Sequence, residues 1–202
     1  MAIFTGSGVA IVTPYYNKCT QQGLIQHYTA IAKEAKAPII MYSVGSRTGV
    51  NIAPETVATL VKNVDNIVGI KEASTDITKI TKIIRECGND LALWSGNDDL
   101  ITPVMSLGGS GVISTVANIA PADTSRMVHT WLEDDIETSR QIQLALKPLI
   151  DTLFAEVNPI PVKAALSMMN KIKPEYRLPL CEAGSKTLYD LMNQMNDYGL
   201  IE

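Results

Sequence analysis

Apolar positions fall into two alternating patterns along this chain. Short runs rich in β-branched residues stand at 8–12 (GVAIV), 38–41 (PIIM), 67–70 (IVGI), 91–94 (LALW) and 111–113 (GVI). Between them, apolar residues recur at the spacing of amphipathic helices over 22–35, 54–63, 76–87, 99–107 and 121–131. Alternation of this kind predicts βα units and a parallel sheet. The stretches "PIIM" and "NIVGI" are apolar almost throughout, which predicts strands covered on both faces. Pro54 and Pro121 suit first helical turns, and Asp98 with Ser74 or Thr75 suit N-caps. After the fifth unit the pattern is helical only, over 136–154, 162–169 and 186–198, joined by "EVNPIPV" and "KIKPEYRLPL". No low-complexity segment or interdomain linker stands out. The expected organisation is an α/β core over 1–134 and a helical extension of the same domain over 135–202.

The strand ends carry the chemistry. Each apolar run finishes in polar side chains: Thr13, Tyr15 and Tyr16; Tyr42 and Ser43; Lys71, Glu72 and Ser74; Ser95, Gly96 and Asn97; Ser114 and Thr115. In α/β folds the loops after the strands converge on the ligand, so polar ends in register predict a site there. Lys71 follows "NIVGI" directly. Partial desolvation disfavours its ammonium and frees the amine to attack a carbonyl. Alone it would read as a lysine snorkelling from a strand mouth. Tyr42, one βα unit earlier at another strand end, changes that reading. A tyrosine hydroxyl beside a Schiff-base lysine moves the protons that carbinolamine formation and dehydration require. Arg47 in "SRTG" has the planar fork that holds a carboxylate. Lys163 opens a helix and follows no strand, which marks it as structural. Asp98 and Asp99 read as helix caps rather than a catalytic pair. The glycines of "GGSG" (108–111) precede a strand and read as a helix terminator with a tight turn.

Composition narrows the class. The 202 residues are 46% apolar, enough for a substantial core, and the net charge of −4 is spread without long single-sign runs. That balance makes no electrostatic case for nucleic acid or an anionic membrane. No apolar run approaches the ~18 residues of a membrane span, and the opening "MAIFTGSG" lacks the marks of a signal peptide. Cys19, Cys87 and Cys181 lie far apart in no metal spacing and read as reduced thiols of a cytoplasmic protein. His27 and His129 fall inside helical patterns and read as surface or packing residues. No metal site is expected.

Taken together, "VTPYYNK" (12–18), "MYSVGSRTGVNIAPET" (41–56), "VGIKEAS" (68–74), "SGNDD" (95–99), "LGGSGVIST.AN" (107–118), "NPIPVKAAL" (158–166) and "RLPLCE" (177–182) resemble the dihydrodipicolinate synthase family of pyruvate-dependent class I aldolases. The resemblance implies a TIM (βα)8-type barrel, truncated here to about five βα units plus the C-terminal helical extension. It implies a lyase of lysine biosynthesis that condenses pyruvate with aspartate semialdehyde through a covalent Schiff base and no other cofactor. By it, Lys71 is the Schiff-base lysine and Tyr42 the proton-relay tyrosine. Arg47 binds the carboxylate of the second substrate, Gly96 and Ile113 sit at pocket positions, and Tyr16 is the tyrosine inserted into a neighbouring subunit, which implies a homo-oligomer. The sialic-acid lyases and 2-keto-3-deoxy sugar acid lyases share the lysine and tyrosine and remain an alternative. So does a catalytically silent, oligomerising remnant.

Two departures from the family pattern matter. The family's usual "YNVP.RTG" is "YSVGSRTG" here, and Ser43 and Gly45 are expected to loosen that turn. The family's "GTTGE" stretch, which supplies a threonine to the hydroxyl relay and donors for the pyruvate carboxylate, is not found. The run "GVAIVTPYYN" begins like the family's first strand and ends like its fourth, which reads as an internal deletion of several βα units. Weakened activity is the expectation.

Overall fold

A computed structural model describes residues 8–202. Residues 1–7, most of the opening "MAIFTGSG" that lacks the marks of a signal peptide, lie outside the described residues. Five parallel strands, β1 (Val9–Val12), β2 (Ile39–Ser43), β3 (Ile67–Glu72), β4 (Ala92–Ser95) and β5 (Gly111–Val112), pair strictly in chain order. The connecting helices are α1 (Gln21–Glu34), a short α2 (Gly45–Thr48), α3 (Pro54–Asn63), α4 (Ile77–Cys87) and α5 (Ile101–Ser106). Thr20 caps α1 by accepting the Gly23 N–H at 3.1 Å, and Pro54 lies in the first turn of α3. The cap of α4 is Asp76, which accepts the Lys79 N–H at 3.0 Å, in place of Ser74 or Thr75.

Strand order decides where the core lies. Right-handed crossovers between successive parallel neighbours put every helix on one side of the sheet. Ile39 and Met41 of β2, Ile70 of β3 and Leu93 of β4 accordingly pack against Leu24, Tyr28, Leu60, Ile80 and Ile83 in one cluster. Each such side chain contributes about 1.5–3 kcal/mol by leaving water. The Tyr28 hydroxyl, inside this layer, donates to the Ile11 carbonyl at 2.9 Å and ties α1 to β1. The opposite face is only half buried, through Ile40, Tyr42, Lys71, Ala92 and Trp94, and Val9 and Val12 of β1 are exposed. Covering on both faces, expected from the apolar runs, is therefore corrected: among the described residues helices cover one face. A sheet whose order reversed would have had helices on both. Sequential order with one-sided cover is the arc of a barrel.

The chain forms two compact units, Met1–Ile113 and Ser114–Glu202. The second is helical: α6 (Pro121–Leu132), α7 (Ile136–Leu153), α8 (Ile160–Met168) and α9 (Ser185–Asp197). α6 packs on α7, and the Ser139 hydroxyl of α7 donates to the Met127 carbonyl of α6 at 2.7 Å. The Tyr198 hydroxyl donates to Asp123 at 2.8 Å, closing the end of α9 onto α6. Ile142, Leu146, Leu149, Leu153, Ala165, Leu191 and Met195 are among its buried apolar residues. Among the described residues no helix is long and apolar enough to cross a membrane.

Candidate active site

Register assembles the site. Val12, Tyr42, Lys71, Trp94 and Gly111 are successive partners across the five strands, so the side chains of Val12, Tyr42, Lys71 and Trp94 share one row on the half-buried face. β2 and β3 run two residues past their apolar runs, which puts Tyr42 and Lys71 inside the ladder rather than on loops. Their rotamers are thereby held by strand neighbours. The Lys71 Nζ stands over the Tyr42 ring, 4.4 Å from its centroid. On the other side Gly69 makes room for the Trp94 indole: a Cβ on Gly69 would lie 2.4 Å from the indole and 2.9 Å from the Ala92 carbonyl oxygen.

The proton balance at Lys71 is a contest. Burial pushes its pKa below the ordinary lysine value, the Asp98 carboxylate opposes that, and the Arg47 guanidinium reinforces it. The tyrosine ring favours the ammonium by about 0.5–2 kcal/mol, yet desolvation is the largest effect and the net direction is down. The Tyr42 hydroxyl is shifted the other way, above the ordinary tyrosine value, because burial outweighs the attraction of Arg47. At neutral pH the pair is therefore an amine eased toward its neutral form beside a phenol that keeps its proton. Such a pair attacks a carbonyl and supplies a proton to the resulting oxygen.

The loop after β2 is firm. Ser43 is fully buried, and α2 closes with Thr48 N–H donating to Val44 O at 3.1 Å and Gly49 N–H to Gly45 O at 2.9 Å. The Asn51 amide packs so closely on Gly45 that a Cβ there would lie 2.4 Å from its Oδ1. Buried Thr13 at the end of β1 donates to the Thr48 hydroxyl at 2.9 Å, which donates in turn to Val50 O at 3.0 Å. Glycine at 45 admits Asn51, and the Thr13–Thr48 pair ties the loop to the end of β1. Arg47, exposed on α2, projects from this anchored turn.

Gly96 and Ile113 lie at the ends of β4 and β5. Gly96 N–H donates to Glu72 O at 2.7 Å and Ile113 N–H to Ser95 O at 3.0 Å. A Cβ on Gly96 would meet the Ala73 Cβ at 2.6 Å, so glycine is required for β3 and β4 to close at their ends. Asp98 is not the cap of α5, whose N-cap is Leu100; it is buried in a 3₁₀ turn, within electrostatic reach of Lys71. Ser74 Oγ is buried with no hydrogen-bond partner among the described residues. Tyr16 is not gathered in: it is 88% exposed, with φ of 73° in a turn that also holds Lys18 at 48°. Glycines 108–109 end α5 as read from the sequence, Gly108 N–H donating to Met105 O and Gly109 N–H to Val104 O. Lys163 packs over the Tyr176 ring in the second unit, 5.1 Å from its centroid. No group of three or more metal-ligating side chains gathers among the described residues.

The sequential arc and its row of strand-end side chains define the class: an α/β protein of truncated TIM (βα)8 type. The chain belongs to the dihydrodipicolinate synthetase family, whose model matches residues 5–197. It is 50% identical over 192 residues to a 4-hydroxy-tetrahydrodipicolinate synthase of Thermoanaerobacter sp. strain X514. That alignment covers 95% of this chain and 65% of the relative. The dihydrodipicolinate synthase of Thermotoga maritima superposes with a TM-score of 0.94 at 44% identity, over 98% of this chain and 68% of that one. The chloride-inhibited dihydrodipicolinate synthase of Acinetobacter baumannii, solved in complex with pyruvate, gives 0.94 at 38% identity, over 98% and 67%. The chain thus spans about two thirds of the length of these relatives, and over that span the fold is theirs.

Proposed function

We propose that this chain is a Schiff-base-forming lyase that condenses pyruvate with aspartate semialdehyde in lysine biosynthesis, in a cytoplasmic setting and as a homo-oligomer. The observation that carries the reading is the desolvated Lys71 amine stacked on Tyr42 in one strand row of a dihydrodipicolinate synthetase fold. Lys71 Nζ attacks the pyruvate carbonyl carbon, and the Tyr42 phenol protonates the oxygen as it becomes a hydroxyl. The nitrogen's surplus proton returns to the Tyr42 oxygen and is delivered again to the hydroxyl, which leaves as water and gives the protonated imine. Loss of a methyl proton then gives the enamine, whose carbon adds to the aldehyde of the second substrate. The Arg47 fork is the partner for a substrate carboxylate, and no cofactor beyond the covalent imine is needed. Because no "GTTGE" counterpart joins the hydroxyl relay, turnover is slower than in the full-length relatives. Tyr16, exposed on its strained turn, is the residue offered to a second subunit.

The test is reductive trapping. Pyruvate with borohydride, followed by peptide mapping, gives a single adduct on Lys71. Turnover with aspartate semialdehyde, rather than sugar-acid cleavage, then separates the synthase from its aldolase relatives. No adduct on Lys71 overturns the catalytic reading and favours a silent, oligomerising remnant, which the two-thirds length otherwise supports.

A further inference from the structure

Beneath the strand row, on the helix side of the sheet, lies a second cluster of polar groups that the chemistry above leaves unused. Glu72 follows Lys71 and is completely buried; Ser43 follows Tyr42 and is also completely buried. Lys79 reaches both from α4. Its Nζ donates to Glu72 Oε2 at 2.8 Å and to Ser43 Oγ at 3.2 Å, and its side chain is 11% exposed. The other carboxylate oxygen, Oε1, accepts the Ser74 N–H at 2.9 Å, and Ser43 Oγ also accepts the Ile52 N–H at 3.4 Å. Ser43 and Glu72 are register partners, one step along the strands from Tyr42 and Lys71. Because successive side chains point to opposite faces, the ammonium that joins Ser43 to Glu72 fixes the backbone from which Tyr42 and Lys71 project the other way.

We propose that Lys79 is a positioning residue for the Lys71–Tyr42 pair, clamping the ends of β2 and β3 through Ser43 and Glu72 so that the amine stays stacked on the ring. What the pair is for rests on the Schiff-base reading; the clamp itself does not. A buried charge pair is weak evidence for stability, since well-packed apolar residues often replace one without loss. Its placement directly behind the two reactive side chains gives it a positional role. Ser43, where the family usually has Asn, gives the ammonium its second acceptor.

The test separates position from stability. Lys79→Met alone strands the Glu72 carboxylate and unfolds the chain, so the informative variants are Ser43→Ala, the charge-neutral double variant Glu72→Gln/Lys79→Met, and Lys79→Arg. Each is first checked for a wild-type circular dichroism spectrum. The titration of Lys71 is read by acetic anhydride labelling across pH with mass mapping, which needs no substrate. The pyruvate–borohydride adduct is timed separately. Ser43→Ala and the double variant move the Lys71 midpoint up toward the ordinary lysine value and slow adduct formation roughly tenfold, while Lys79→Arg leaves both as in the wild type. An unchanged Lys71 midpoint in either folded variant overturns the proposal. A wild-type chain whose Lys71 titrates low yet takes no pyruvate overturns the Schiff-base reading and leaves the clamp standing.

Discussion

At Lys71 burial, two charges and a ring act on a single proton. Burial and Arg47 remove it more easily; Asp98 and the Tyr42 ring hold it. Burial leads, so the free amine grows in at a lower pH than for an ordinary lysine, and the rate of adduct formation with pyruvate rises through a midpoint below that value. Tyr42→Phe keeps both the ring and the burial of Lys71, and therefore the low midpoint, but removes the proton donor. Adduct formation in it falls on the order of 10²-fold, measured by quenched-flow borohydride trapping. A fall in rate accompanied by a raised midpoint would mean that the hydroxyl acts by setting the proton balance of Lys71 rather than as a proton donor. Lys71, Tyr42 and Arg47 were legible because each follows an apolar strand or its loop directly. Asp98 was not: a carboxylate ahead of a helix reads the same whether it caps the helix or lies buried near a lysine.

At the scale of elements, glycine positions set how closely the strands approach. Gly96→Ala places a Cβ 2.6 Å from the Ala73 Cβ and 3.1 Å from the Glu72 carbonyl oxygen, neither of which is a flexible tip. The variant loses about 1–3 kcal/mol, read as a lower urea midpoint at unchanged slope. It also slows adduct formation, because Ala73 lies two residues from Lys71. Element existence was plain from periodicity: α3, for instance, spans Pro54–Asn63 as its pattern reads. The ends were less plain. Tyr42–Ser43 and Lys71–Glu72 are polar and end an apolar run, yet cross-strand hydrogen bonds such as Ala73 N–H to Ser43 O at 3.0 Å extend the ladder over them. The four residues of α2 carry no periodicity, and tertiary contacts with Thr13 and Asn51 hold them beside their own backbone hydrogen bonds.

For the whole molecule, the consequential feature is an arc with two sheet edges. Among the described residues β1 pairs only with β2, and β5 only with β4. Parallel edges with exposed Val9 and Val12 invite association. Multi-angle light scattering is expected to give more than one chain mass, and a monodisperse monomer would remove the oligomer from the functional reading. One-sided cover was not legible, because an apolar strand reads alike whether its second face meets helices or the inside of a barrel.

Sequential pairing also shapes how the arc is assembled. Each strand needs only its chain neighbour, so the ladder grows by adding one βα unit to the last, with no long-range closure required before contacts form. An architecture of this kind tolerates a change in the number of units, because the remaining ones keep their contacts. Cooperativity then runs outward from the middle. In hydrogen exchange, the amides of Ile40–Ser43 and Gly69–Glu72, flanked by strands on both sides, are expected to open last, and those of β1 and β5 first. Lys71 and Tyr42 would then occupy the last part of the sheet to come apart.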